Sequence, residues 1–171
     1  DGSTKGYWGK KGTGPDEFLN FYCNTFYPKD STLYIFDHQQ KSLRKYKQEK
    51  DPLHWNKISE IKADNDSVLI YDLHRMENGY SVANAPLGLE KPFILLDKDL
   101  NIISNFGDIK IPAKPKDLLS YTGFYASYGN KFTFVMTDLG YIAGYEITDN
   151  GKEKKLWEHY LEEPIYKEDG S

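Results

Sequence analysis

Asp72, His74 and Arg75 crowd into four consecutive positions of the chain. An imidazole beside a carboxylate can act as a base or as a metal ligand. Tyr125, in a later apolar stretch, is the fourth group expected to contact a ligand. The competing reading makes Asp72, His74 and Arg75 a hydrogen-bonded structural trio. The other histidines, His38, His54 and His159, stand at no metal-ligand spacing, so no zinc site is expected. These residue types call for no catalytic group, no bound metal and no cofactor.

Three aspartates recur after apolar runs: Asp37 after Leu33–Phe36, Asp97 after Phe93–Leu96, and Asp138 after Phe132–Thr137. Ringed around a channel they could ligate a metal or move protons. At strand ends they more naturally cap turns, because an Asp side chain bonds the backbone just ahead of it. Asp97, Asp99 and Asn101, with Asp108, partly match a calcium loop, but Ile102 stands where the sharp turn needs Gly. Gly9, Gly12 and Gly14 lack the Gly-Lys-Ser/Thr of a phosphate loop and read as a turn. Cys23 is the single cysteine, so no internal disulfide forms, and it reads as a small buried side chain. Lys41, Arg44, Lys45, Lys47 and Lys50 form a basic run that Glu49 and Asp51 close, as on a solvated strand and loop.

The elements that must carry these groups are strands. Leu43 and Tyr46 follow Asp37 by six and nine residues, as Ile103 and Phe106 follow Asp97; Ile142 and Tyr145 follow Asp138 two residues earlier. A short strand is expected at 6–8, then strands at 21–27, 33–36, 43–47 and 55–61. A second set falls at 68–76, 80–85, 93–96 and 102–109, with Asn78-Gly79 as a tight hairpin turn. A third set falls at 121–128, 132–136 and 141–147. Leu156, Trp157, Tyr160 and Leu161 sit at helical spacing, yet the period of the units calls for a strand there. Four strands in roughly 45 residues, three times over, is the size of propeller blades. Apolar residues on both faces suit sheets stacked on one another.

Composition narrows the classes. With 171 residues the chain can bury a core. Aromatics make up 15% of it, which favours β structure. A net charge of −4 and a pI near 5.6 argue against nucleic-acid binding. No apolar run approaches the ~18 residues of a membrane span.

Gly12-Thr13-Gly14-Pro15-Asp16-Glu17-Phe18, Leu33-Tyr34-Ile35-Phe36-Asp37 and Leu43-Arg44-Lys45-Tyr46 together resemble a blade opening of bacterial six-bladed β-propellers, the TolB-like and NHL-like proteins. Asp16 stands where the third Gly is usual. The match spans residues 9–47, is looser over 78–106, and elsewhere follows only the period. The resemblance implies an all-β chain of about three four-stranded blades, half or a fragment of a six-bladed ring. Residues 1–14 would be the outer strand of a preceding blade, and 15–62, 63–110 and 111–171 the blades. It implies a non-enzymatic binding module with a protein, small-molecule or carbohydrate ligand at the channel. The alternative is a hydrolase or lyase with a metal or an acid/base pair there. It further implies export to the periplasm or cell surface, with lipid anchoring among the forms such proteins take. Self-association or missing blades would close the ring.

Overall fold

The computed structural model describes residues 6–14, 16–63, 70, 72–84, 91–108, 123–136 and 140–160, except the side chains of 21–24. The chain is all-β. Strands β1 (Lys10–Lys11) and β2 (Glu17–Phe18) form a small parallel pair. Three four-stranded antiparallel sheets follow, each a simple up-and-down meander. The first holds β3 (Phe21–Tyr27), β4 (Thr32–Asp37), β5 (Ser42–Gln48) and β6 (Trp55–Lys62). The second holds β7 (Asp72–Arg75), β8 (Ser81–Asn84), β9 (Phe93–Leu96) and β10 (Ile102–Phe106). The third holds β11 (Phe124–Tyr128), β12 (Lys131–Met136), β13 (Tyr141–Ile147) and β14 (Glu153–Tyr160).

Two local expectations are decided here. The helical spacing near Trp157 yields to strand β14, which pairs along the whole of β13. Packing explains it: the Trp157 ring lies flat over Gly144, where any Cβ would collide with the indole. The strand expected at 6–8 falls instead at β1. Residues 6–9 are irregular, and Gly9 turns the chain at a φ of 80°, a conformation other residues avoid. Trp8 still packs, edge-on against Tyr46 at 4.7 Å and beside Phe18 and Trp55.

Strand alternation builds the core. On β9, Phe93 and Leu95 face the third sheet, joining Phe132, Phe134, Met136 and Tyr145. Ile94 and Leu96 face the first sheet, joining Phe36, Leu43 and Leu73. The central sheet is thus covered on both faces. Phe93 is wholly buried among Phe106, Phe132, Phe134, Tyr125 and Tyr145, mostly edge to face. Hydrogen bonds lock the stacking. The Arg75 N–H donates to Thr25 Oγ1 (3.3 Å), and the Tyr27 hydroxyl donates to the Arg75 carbonyl, joining sheets one and two. Asn78, in the β7–β8 turn, joins sheets two and three. Its N–H donates to Asn130 Oδ1 (2.9 Å) and its amide NH2 to the Ile147 carbonyl (2.8 Å).

Of the recurring aspartates, Asp37 and Asp97 punctuate hairpins. Asp37 is fully buried, and its carboxylate accepts the N–H groups of Leu19 (2.7 Å), Asn20 (3.4 Å), Gln39 and Gln40 (both 3.1 Å). Asp97 accepts the N–H groups of Asp99 (2.9 Å) and Asn101 (2.8 Å) and the Asn101 side-chain amide (2.9 Å). Leu100 closes that turn at a φ of 67°, and β10 begins at Ile102, so the calcium-like spacing folds as a polar hairpin. Asp138 lies outside the described residues.

Asp37 reaches both its own turn and the segment before β3, so its loss strands several partly buried donors. Asp37→Ala should cost about 3 kcal/mol in urea unfolding; a loss under ~1 kcal/mol would show that water satisfies them. The Asp97 carboxyl is held below its ordinary pKa: burial pushes it up, but the Asn101 and Asp99 hydrogen bonds outweigh this. Its contribution is therefore present above the ordinary Asp pKa of about 4 and is lost as pH falls through the depressed folded value. Acid-unfolding curves of Asp97→Asn should lack that increment of pH dependence.

Candidate functional site

Two first strands, β7 of the second sheet and β11 of the third, carry the groups that the sequence singles out for a ligand. Period-two alternation sends Asp72 and His74 to the face of β7 that meets the third sheet, and Arg75 to the face that meets the first. The imidazole of His74 lies against the Tyr125 ring, centroids 4.5 Å apart and 32° from coplanar. His74 Nε2 stands 3.5 Å from Asp72 Oδ1. Tyr125 is in turn held by Phe134 at 4.5 Å and Phe132 at 5.8 Å. Asp72, His74 and Tyr125 therefore meet at the seam between two sheets. Asp72 keeps about a quarter of its side chain exposed, whereas His74 is nearly buried.

Arg75 stands apart from them. It is buried, and its guanidinium donates to Ser81 Oγ (3.0 Å), the Lys98 carbonyl (3.1 Å) and the Asp97 carbonyl (3.5 Å). Burial lowers its pKa, against the pull of Tyr34, Tyr27, Asp99 and Asp97; a guanidinium nonetheless stays charged. Its geometry braces the β9–β10 turn against β7. The seam on the other face can offer a ligand one carboxylate acceptor, an imidazole and an aromatic wall. An imidazole so wedged holds one orientation, which suits recognition or proton transfer at its Asp72 edge.

The other candidates disperse. The basic run divides between faces: Arg44 is buried, Lys45 lies over the Tyr34 ring, and Lys47 donates to the Asp30 carbonyl. His54 pairs with Asp51 on the exposed β5–β6 turn at 2.8 Å, and His159 lies beside Trp157. The side chain of Cys23 lies outside the described residues. Among the described residues no group of three His, Cys, Asp or Glu is placed to hold a metal ion. The Gly9–Gly14 segment forms no anion cradle: the Gly12 N–H donates to the Phe18 carbonyl and the Gly14 N–H to Glu17 Oε2.

One residue whose role the sequence did not disclose is Arg44. Its guanidinium donates to Glu60 Oε1 (3.2 Å), Gln40 Oε1 (2.8 Å) and the Glu17 carbonyl (2.5 Å), and lies 5.3 Å over the Phe18 ring. With Asp37 it fastens the glycine-rich segment to the first sheet. The available signal was an arginine between Leu43 and Tyr46 on a strand packed on both faces.

No protein-family model matches the chain, and no curated protein matches its sequence. Solved structures do match. A Bacteroides fragilis protein described as exported aligns with a TM-score of 0.56 at 13% identity, over 86% of this chain and 40% of its own. A protein assigned as a 6-phosphogluconolactonase from Bacteroides uniformis aligns with a TM-score of 0.50 at 14% identity, over 87% of this chain and 45% of its own. Virginiamycin B lyase from Staphylococcus aureus aligns with a TM-score of 0.45 at 14% identity, over 84% and 42%. Among the described residues no helix is long and apolar enough to cross a membrane. At these identities the likeness is one of fold: the chain is a propeller-type stack of four-stranded sheets, spanning less than half the length of the structures it matches.

Proposed function

We propose that this chain is part of an exported six-bladed propeller of the TolB-like or NHL-like kind and acts as a non-enzymatic binding module. In this reading 15–62, 63–110 and 111–171 are blades, and 1–14 belongs to a preceding one. The protein works in the periplasm or, lipid-anchored, at the cell surface. The observation that carries the reading is the meeting of Asp72, His74 and Tyr125 from neighbouring first strands. A carboxylate beside the partly exposed Tyr125 ring suits a hydroxyl-rich ligand such as a carbohydrate: the acid accepts hydroxyl protons and the ring covers an apolar C–H face. Arg75, across the sheet, supports the site through the β9–β10 turn.

A second reading is a hydrolase or lyase, favoured by the Asp72–His74 pair, in which the carboxylate would orient the imidazole as a base. The binding reading takes precedence because the His74 ring is packed against Tyr125 and 9% exposed, leaving a substrate little of the imidazole to reach.

Ligand-observed NMR with a panel of neutral and acidic oligosaccharides tests the binding reading. At least one panel member should bind, and Asp72→Asn should weaken it about ten-fold, as loss of one charge-assisted hydrogen bond does. Arg75→Lys should instead lower the unfolding midpoint and change affinity little. A panel without binders, or binding indifferent to Asp72→Asn and His74→Ala, removes the proposed site. Elemental analysis separates the two readings: a stoichiometric divalent metal on the purified chain overturns the non-enzymatic one.

A further inference from the structure

Two Asn-Gly pairs close hairpins at the junction of the second and third sheets, and the structure treats them oppositely. Asn78-Gly79 closes β7–β8, and Asn150-Gly151 closes β13–β14. Such a pair is open to one spontaneous reaction, because glycine has no Cβ to keep its amide nitrogen away from the preceding side-chain carbonyl carbon. The backbone does not distinguish the two. Gly79 and Gly151 have φ of 87° and 69°, and their N–H groups donate to the carbonyls of Met76 (3.1 Å) and Thr148 (2.9 Å).

The side chains do distinguish them. Asn78 is half-buried, and its amide nitrogen donates to the carbonyls of Ile147 (2.8 Å) and Thr148 (3.3 Å). Its Oδ1 receives the Tyr80 N–H at 3.4 Å, a long contact. Asn150 is exposed, and its Oδ1 lies 2.5 Å from the Thr148 hydroxyl. That hydroxyl accepts the Lys152 N–H (3.1 Å), which strengthens its own donation. Its other acceptor, the Lys152 carbonyl, is farther away at 2.9 Å. A donor on a carbonyl oxygen stabilises the negative charge that develops there when a nucleophile adds.

We propose that Asn150 is a self-modification site, converted to aspartate and isoaspartate with the Thr148 hydroxyl as oxyanion donor, while Asn78 is protected by its clamp. The Gly151 nitrogen loses its proton and bonds to Asn150 Cγ. The Cγ–Nδ2 bond then breaks, and the nitrogen leaves as ammonia with that proton. Water opens the resulting cyclic imide at either carbonyl. Opening at Cγ gives aspartate; opening at the backbone carbonyl gives isoaspartate, which routes the chain through the side chain and adds a methylene to the backbone. This turn is docked, so added length matters. A Cβ on Gly151 would lie 2.8 Å from the Tyr80 ring, and Asn130 Nδ2 reaches Asp149 Oδ1 at 3.3 Å. The Asn78 clamp itself uses the Ile147 and Thr148 carbonyls. The modification is thus a slow, one-way loosening of the lock between sheets two and three.

The test keeps the purified chain folded in mildly alkaline buffer and follows both pairs by peptide mapping that separates aspartate from isoaspartate. Asn150 should convert about ten-fold faster than Asn78, and the two rates should converge in urea, where clamp and donor are both lost. Thr148→Val should slow Asn150 about ten-fold, and Thr148→Ser should restore it. Aged wild-type chain should unfold at a lower temperature than fresh chain, whereas Asn150→Gln should not change with age. Equal rates at the two pairs in the folded chain, or a faster Asn78, overturn the proposal without recourse to any variant. A Thr148→Val rate at or above wild type overturns the role of the hydroxyl, and an unchanged midpoint in fully modified chain overturns the loosening.

Discussion

The structure depends on burying both faces of the central sheet. Phe93, Ile94, Leu95 and Leu96 are four consecutive residues with no exposed surface, and they alternate between two separate cores. A sheet with one solvated face would make every second residue polar. Here a strand can be apolar throughout, and each polar exception must find partners inside. Burial on both sides fixes the register as well, because a slip of one residue would exchange the two cores.

The polar exceptions are the informative residues. Asp37 and Arg44 lie within the first sheet at almost no exposure, and each bonds both its own turn or a neighbouring side chain and backbone of the segment 14–20. A buried ion is costly unless its lone pairs or protons are used, and these are used. They turn the glycine-rich segment into a fixed cover for the rear of the first sheet, stacked on Trp8, Phe18 and Tyr46. Arg75 does similar work within the second sheet, taking the Asp97 and Lys98 carbonyls of the β9–β10 turn.

His74 belongs to both worlds. Its ring is part of the packing between sheets two and three, and its Nε2 edge turns to Asp72, which remains partly exposed. A functional group placed on a first strand gains the rigidity of the aromatic cluster behind it. The same packing limits what can reach it.

The sequence alone determined the architecture. Strand-length apolar runs, Asn78-Gly79 at a turn, and aspartates closing apolar runs are local signals, and local backbone preferences answer to them directly. Apolar residues on both strand faces call for stacked sheets. What the tertiary structure decided was which side each group serves. Asp72, His74 and Arg75 are neighbours in sequence, yet alternation parts Arg75 from the other two, and the 51-residue reach from His74 to Tyr125 is visible only once β11 lies against β7. The same holds at Trp157, where helical spacing lost to pairing with β13 and a ring seated on Gly144. Periodicity is a property of the chain, whereas partnership across sheets depends on which strands come to lie side by side, and no local spacing encodes that.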